Sequence, residues 1–395
     1  MLITNTNRDQ SKPQPPRVVV AMSGGVDSSV AAALLVEQGY EVIGMMMRLW
    51  SESADGQTKA FNRCCTPDQM ADARRIAERL NIPFYVLDVQ DYFRQSIVQF
   101  FIDEHVAGRT PNPCIECNRQ IRFTYLLEQA LALDADYLAT GHYARVQQSP
   151  DGYHLLKAVD ANKDQSYVLH VLGQEQLAKV LFPIGAYTKD EVRQLARDFN
   201  LPVASKQESQ DLCFLKDGDY RRFLREYSAS SPAEGPIFTT SGLELGRHEG
   251  LPYYTIGQRK GLGISAVEPL FVLRKDASRN ALIVGTREEL GRQTLIARDV
   301  NWVSGSSPAE PIEVEVKIRY KASPALAVLS PISDNSVQVV FMEPVFGITA
   351  GQGAVFYQGD ECIGGGIITH QDEIEGGFEE ANGFVHSSAI EVVKP

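Results

Sequence analysis

A five-residue apolar run, Val18-Val19-Val20-Ala21-Met22, passes without a break into Ser23-Gly24-Gly25-Val26-Asp27-Ser28, and that junction leaves few folds open to this chain. So short and so apolar a run reads as a strand buried on both faces, the kind that parallel α/β sheets use. The hexapeptide after it offers what an anion needs: glycines that let the backbone come close, hydroxyls that donate, and the unpaired N–H groups of a helix start. It is not a Walker A loop, which requires Gly-Lys-Ser/Thr, nor the G-x-G-x-x-G of a dinucleotide fold. The expectation is a phosphate cradle; the plain alternative is a Gly-rich turn with a serine cap.

The alternation continues. Helical spacing runs from Ser28 to Gln38, Pro67 to Leu80, Asp91 to His105, Ile121 to Leu133 and Thr188 to Phe199, with strands at Glu41 to Met47, Phe84 to Val89 and Tyr137 to Thr140. From about Asp217 the chain becomes Gly-rich and mixed, centred on Tyr253 to Gly263. Beyond Leu290 short strands follow one another at Ile312 to Tyr320, Ala325 to Leu329, Val337 to Met342 and Ala354 to Tyr357. The expected organisation is a tail over 1–16, an α/β domain over 17–216 with a parallel sheet, a small central domain over 217–290, and an antiparallel β-barrel over 291–395. The 395 residues suit two or three domains.

Six cysteines, Cys64, Cys65, Cys114, Cys117, Cys213 and Cys362, are too few and too irregular for a secreted disulfide framework, so the expected compartment is the reducing cytoplasm. No signal peptide or membrane span is expected, because no run of apolar residues is long enough. Cys117 precedes a predicted helix and neighbours Arg119, a setting that favours thiolate. Cys213 lies 96 residues later, and the two could meet in the fold, one holding a sulfane sulfur and the other assisting its release. Structural zinc stays open on Cys114-x-x-Cys117, although no second pair completes it. Cys362 reads as core.

The loop Ser23 to Ser28 resembles the pyrophosphate loop of enzymes that split ATP between its α- and β-phosphates. Together with Gly108 to Pro113, Cys117-Asn118, Ala139 to Tyr143, Lys163 to Tyr167, Cys213-Phe214 and Tyr254 to Leu262, it is similar, in order and over nearly the whole chain, to the bacterial tRNA-specific 2-thiouridylases. The resemblance implies an adenine-nucleotide α-hydrolase-like N-terminal domain. It implies ATP contacts at Ala21, Met22, Ser23, Gly24, Gly25, Val26, Asp27, Ser28, Met47 and Gly141, with Asp27 as a magnesium ligand. It implies Cys117 as nucleophile and Cys213 as persulfide carrier, in a reaction that thiolates the wobble uridine of the Lys, Glu and Gln tRNAs. Asn112, Pro113 and Cys114 would approach the target base, and His142, Lys163, Asp164, Gln165, Arg319, Tyr320 and Gln352 would contact tRNA. A cysteine desulfurase or a sulfur-relay protein would supply the sulfur.

Cys114 stands where the family often has Asp. Three cysteines, Cys114, Cys117 and Cys213, could then surround one site and hold a [4Fe-4S] cluster. Other readings are an adenylating ligase or amidotransferase, which needs neither Cys117 nor Cys213, and a noncatalytic tRNA-binding protein. The net charge of −12 argues against nonspecific nucleic-acid binding. Residues 291–395 hold 6 Lys and Arg against 14 Asp and Glu. Their contact with tRNA is therefore expected to be confined to a patch around Lys317, Arg319 and Lys321.

Overall fold

The computed structural model describes residues 14–52, 66–206, 212–229, 232–333 and 335–369. Cys64, Cys65 and the acidic run from Asp372 to Glu380 lie outside the described residues. Among the described residues three sheets form. The first is parallel and contains β1 (Arg17–Ala21), β2 (Glu41–Arg48), β3 (Phe84–Asp88) and β4 (Tyr137–Thr140). After β4 comes an antiparallel hairpin, β5 (Ala144–Ser149) and β6 (Gly152–Lys157), and then the short β7 (Val180–Leu181), which completes the first sheet in the order β3-β2-β1-β4-β7.

In β1 the two-residue period decides the packing. Val19 faces the layer built from Phe123, Leu126 and Leu138, whereas Val18 and Val20 face the layer that holds the helix Val26–Glu37. Val18, Val19 and Val20 are all fully buried, as a central strand with helices on both faces requires. The chain leaves β1 toward β2 on one side and returns as β4 on the other. The crevice between the ends of β1 and β4 is thus the switch point where an open α/β sheet binds its ligand.

The central sheet comprises β8 (Gly235–Thr239), β9 (Glu244–His248), β10 (Phe271–Asp276) and β11 (Ala281–Gly285), in the order β10-β11-β8-β9. The last unit adds β12 (Gly291–Trp302), β13 (Ile312–Lys317), β14 (Ala325–Ser333), β15 (Ser336–Phe346), β16 (Gly353–Gln358) and β17 (Glu361–Ile368). It runs β12-β15-β14-β13-β16-β17, and β17 pairs back onto β12, which closes a barrel and removes both free edges.

Two departures from the sequence reading matter for the site. The hairpin β5–β6 belongs to the N-terminal stretch by sequence but pairs with the barrel, Glu361 opposite Leu156 and Cys362 opposite Leu155. Cys362 is core, as expected, and burial pushes its thiol pKa up. The helix expected from Ile121 begins earlier, before Cys117. The chain is helical from Pro113, with the Asn112 side chain accepting from the Cys114 N–H at 3.1 Å and Pro113 in the first turn. The wider π-helical turns of Cys117–Leu126 follow without interruption.

Candidate active site

The loop after β1 is a folded cradle. The Ser28 Oγ accepts from the Ser23 N–H at 3.1 Å, and the Ser29 hydroxyl donates to the Gly25 carbonyl at 2.6 Å, so the loop closes on its own helix start. Gly24 has a φ of 67°, and a Cβ there would lie 2.3 Å from the Gln69 carbonyl oxygen. Gly141, just beyond β4, is as constrained: its Cβ would lie 2.6 Å from the Ser28 nitrogen. Both glycines therefore permit the close backbone approach that shapes the loop at the switch point. That cradle fits the phosphates of ATP. Met22 and Val26 are buried supports, Ala21 and Met47 are partly buried, and Met47 closes the end of β2.

Asp27 occupies the first turn of its helix, where the dipole favours a carboxylate. Both its oxygens accept from the Lys189 Nζ, at 2.7 and 2.9 Å, and the Tyr143 hydroxyl donates to Oδ1 at 2.8 Å. Lys189 is only 7% exposed and opens the helix Lys189–Asp198 behind the cap of Thr188. The Lys189 ammonium and the Tyr143 hydroxyl thus fix the orientation of the Asp27 carboxylate at the mouth of the loop. Lys206 adds a second cation, donating to the Gly24 carbonyl at 2.9 Å and to Asp72 at 2.8 Å. The sequence reading missed Lys189, Tyr143 and Lys206. Only the Thr188-to-Glu191 capping box gave a local signal, and it marks a helix start rather than a site.

Cys117 is 4% exposed and lies in one apolar cluster with Phe93, Phe101, Phe214 and Phe223; Cys213 packs partly buried against the same cluster. Met47 and Leu87, at the ends of β2 and β3, also pack against it, so the cluster that holds both cysteines reaches the edge of the parallel sheet beside β1. Cys114 points outward and is exposed. Among the described residues no three His, Cys, Asp or Glu side chains stand together as a metal-ligand set. Cys114, Cys117 and Cys213 therefore do not fit a [4Fe-4S] cluster in this arrangement, and Cys114 and Cys117 do not build zinc.

Several expected tRNA contacts are committed to the protein interior. His142 is 8% exposed, sits among Phe123 and Phe182, and shares a 2.7 Å hydrogen bond with Thr140; burial, with Arg122 nearby, pushes its pKa down to about 3. It is a neutral packing residue. Asp164 accepts from the N–H groups of Ala158 and Ser166 and from the Ser166 hydroxyl. Gln165 accepts from the Tyr143 N–H at 2.9 Å. Pro113 is buried.

Arg319 donates through one Nη to the carbonyls of Ile256 and Gly347 and to the Thr349 hydroxyl, tying the barrel to the central unit. Gln352 donates to the Thr110 carbonyl at 2.7 Å, and the Thr110 N–H donates to the Ala350 carbonyl. Tyr320 packs its ring against Tyr167. Lys317 is half-buried, and burial lowers its pKa. The basic patch expected at Lys317, Arg319 and Lys321 is thus mostly an internal seam. Lys163 is half-buried and Lys321 is exposed.

Three family models match the chain: the tRNA methyl transferase HUP domain over residues 16–217, the tRNA methyl transferase PRC-barrel domain over 221–286, and the aminomethyltransferase beta-barrel domain over 292–368. The chain is 49% identical over 362 residues to the tRNA-specific 2-thiouridylase MnmA of Heliobacterium modesticaldum, covering 91% of this chain and 94% of that one. It is 50% identical over 355 residues to the protein of the same name from Geobacter metallireducens, covering 89% and 96%. A solved structure of the U34-tRNA thiolase NcsA from Methanococcus maripaludis with its [4Fe-4S] cluster overlaps 54% of this chain and 65% of that one, at 21% identity and a TM-score of 0.33. No helix among the described residues is long and apolar enough to cross a membrane.

Proposed function

The chain belongs to the tRNA-specific 2-thiouridylase family, and on that premise we propose that it thiolates the wobble uridine of the Lys, Glu and Gln tRNAs at the expense of ATP. The loop Ser23 to Ser28 and Gly141 hold the ATP phosphates through backbone N–H groups, and Lys189 and Lys206 supply positive charge beside them. The uridine O2 attacks the α-phosphorus and pyrophosphate leaves, so that O2 carries AMP. Magnesium bound to the phosphates would neutralise charge on the leaving pyrophosphate, and Asp27 is the carboxylate that would meet it.

A cysteine desulfurase or relay protein loads Cys213 with a sulfane sulfur. The terminal sulfur attacks C2 and expels AMP. The Cys117 thiolate then attacks the Cys213 sulfur, breaking the S–S bond to the transferred atom and leaving 2-thiouridine with a Cys117–Cys213 disulfide. An external thiol reduces that disulfide for the next turnover. Asn112 and the exposed Cys114 form the rim nearest the base, with Lys163, Tyr320 and Lys321 available to the RNA. We take the units to divide near 216 and 290, and place the protein in the cytoplasm with its substrate.

The observation that carries this reading is that Met47, at the end of β2 and an expected nucleotide contact, packs against the cluster that holds both cysteines. Incubation with unmodified tRNA, ATP, magnesium and a persulfide donor, followed by nucleoside mass spectrometry, is expected to yield 2-thiouridine with matching AMP and pyrophosphate. Thiolation without pyrophosphate release would contradict it.

A further inference from the structure

Glu52 lies four residues past β2 and is 1% exposed, the most deeply buried carboxylate among the described residues. Both its oxygens accept from the Arg222 Nη2 at 2.9 Å, and the Lys216 Nζ stands 3.7 Å from Oε2. Arg222 is held further by Asp217, at 2.8 and 3.1 Å, and by Glu226 at 2.6 Å. Two residues before Glu52, Trp50 meets Phe223 and Tyr227 edge-on. The segment that leaves β2 thus docks the helix Tyr220–Tyr227 by an apolar contact and an ionic one.

Lys216 is three residues from Cys213. Between them Phe214 and Leu215 are buried, with Phe214 against Phe93, Phe101 and Phe223. The stretch 213–217 is therefore gripped from two sides, by the aromatic cluster that contains Cys117 and by the Glu52 node. A carboxylate this buried is stable only with its cations in place, so Glu52 is satisfied only when Lys216 and Arg222 are docked.

We infer that Glu52 is a positioning residue for sulfur transfer: by drawing in Lys216 and Arg222 it holds Cys213 against the face that carries Cys117. The inference rests on the assignment of Cys213 as persulfide carrier. Adenylation, which uses the ends of β1 and β4, does not depend on this node, whereas sulfur delivery does.

The test uses full-length Glu52→Gln, which keeps the side-chain volume and removes the charge, with Lys216→Gln beside it. Three readouts are taken: pyrophosphate release on unmodified tRNA, 2-thiouridine formed, and the rate at which diamide links Cys117 to Cys213 without ATP or tRNA. In Glu52→Gln, pyrophosphate release is expected to stay within about twofold while thiolation and cross-linking both fall ~10- to 100-fold, the effect of a misplaced reacting group. Lys216→Gln should move the same two readouts in the same direction by less. Since Lys216 is 35% exposed, that variant carries the test if Glu52→Gln does not fold. Wild-type cross-linking and thiolation, or pyrophosphate release falling in step with thiolation, overturns the inference. Retained thiolation in Cys213→Ser overturns instead the assignment beneath it.

Discussion

At the scale of single residues the nucleotide loop depends on two contacts that leave no room for adjustment. In Gly141→Ala the new methyl would be driven into the backbone of Asp27 and Ser28. Overpacking of this kind costs about 1–3 kcal/mol, and here it would fall on the loop itself. A lower thermal midpoint with a raised ATP Kd is expected, measured by calorimetry with and without ATP; unchanged ATP affinity would show that the loop does not need that close approach. The Asp27–Lys189 pair makes a second claim. Lys189→Met and Asp27→Asn should each raise the ATP Kd about tenfold or more, and the double variant should rise little beyond the worse single, because the two groups act as one unit. Full additivity in ATP titrations would separate them. Lys189 and Asp27 are 162 residues apart, so their pairing is a product of the fold and could not be read from spacing.

At the scale of elements, the sequence showed most where the period was clean. Strand β1 and the helices from Pro67 and from Lys189 fall within two residues of their expected places, because apolar spacing and caps mark them locally. The hairpin β5–β6 was illegible because its partner, β17, is some two hundred residues away, and β17 itself is Gly-rich and weakly patterned. The internal roles of His142, Asp164 and Arg319 were illegible for a related reason: a polar residue in a motif can be there to satisfy a buried turn or a domain seam. The hairpin seam makes its own prediction. His154 bonds Glu361 at 2.7 Å, which together with Asp151 raises its pKa above 6.5. A histidine whose folded pKa is raised stabilises fully below its unfolded pKa and loses that contribution as pH climbs through the folded value. Hydrogen exchange of residues 152–157 is therefore expected to quicken from pH 6 to pH 8 beyond the intrinsic rate, and His154→Gln should abolish the excess. An excess unchanged in that variant would assign the seam's pH response elsewhere.

At the scale of the whole molecule, the three units meet where the functional residues gather. Thr110 touches the barrel through Ala350 and Gln352, Arg319 joins the barrel to Ile256, and Glu52 joins the N-terminal unit to the chain that follows Cys213. An acidic protein that commits Arg319 internally meets RNA through a restricted patch, so selective, salt-sensitive tRNA binding with weak nonspecific affinity is expected. A slope that reports many phosphate contacts would place a larger basic surface on the molecule. The central claim is that adenylation and sulfur transfer are separate chemistries joined by Cys117 and Cys213. It is tested most directly by following pyrophosphate release and 2-thiouridine in one reaction for Cys117→Ser and Cys213→Ser on unmodified tRNA. Pyrophosphate release that persists while 2-thiouridine vanishes in both variants is the predicted result; 2-thiouridine still forming in either one would contradict it.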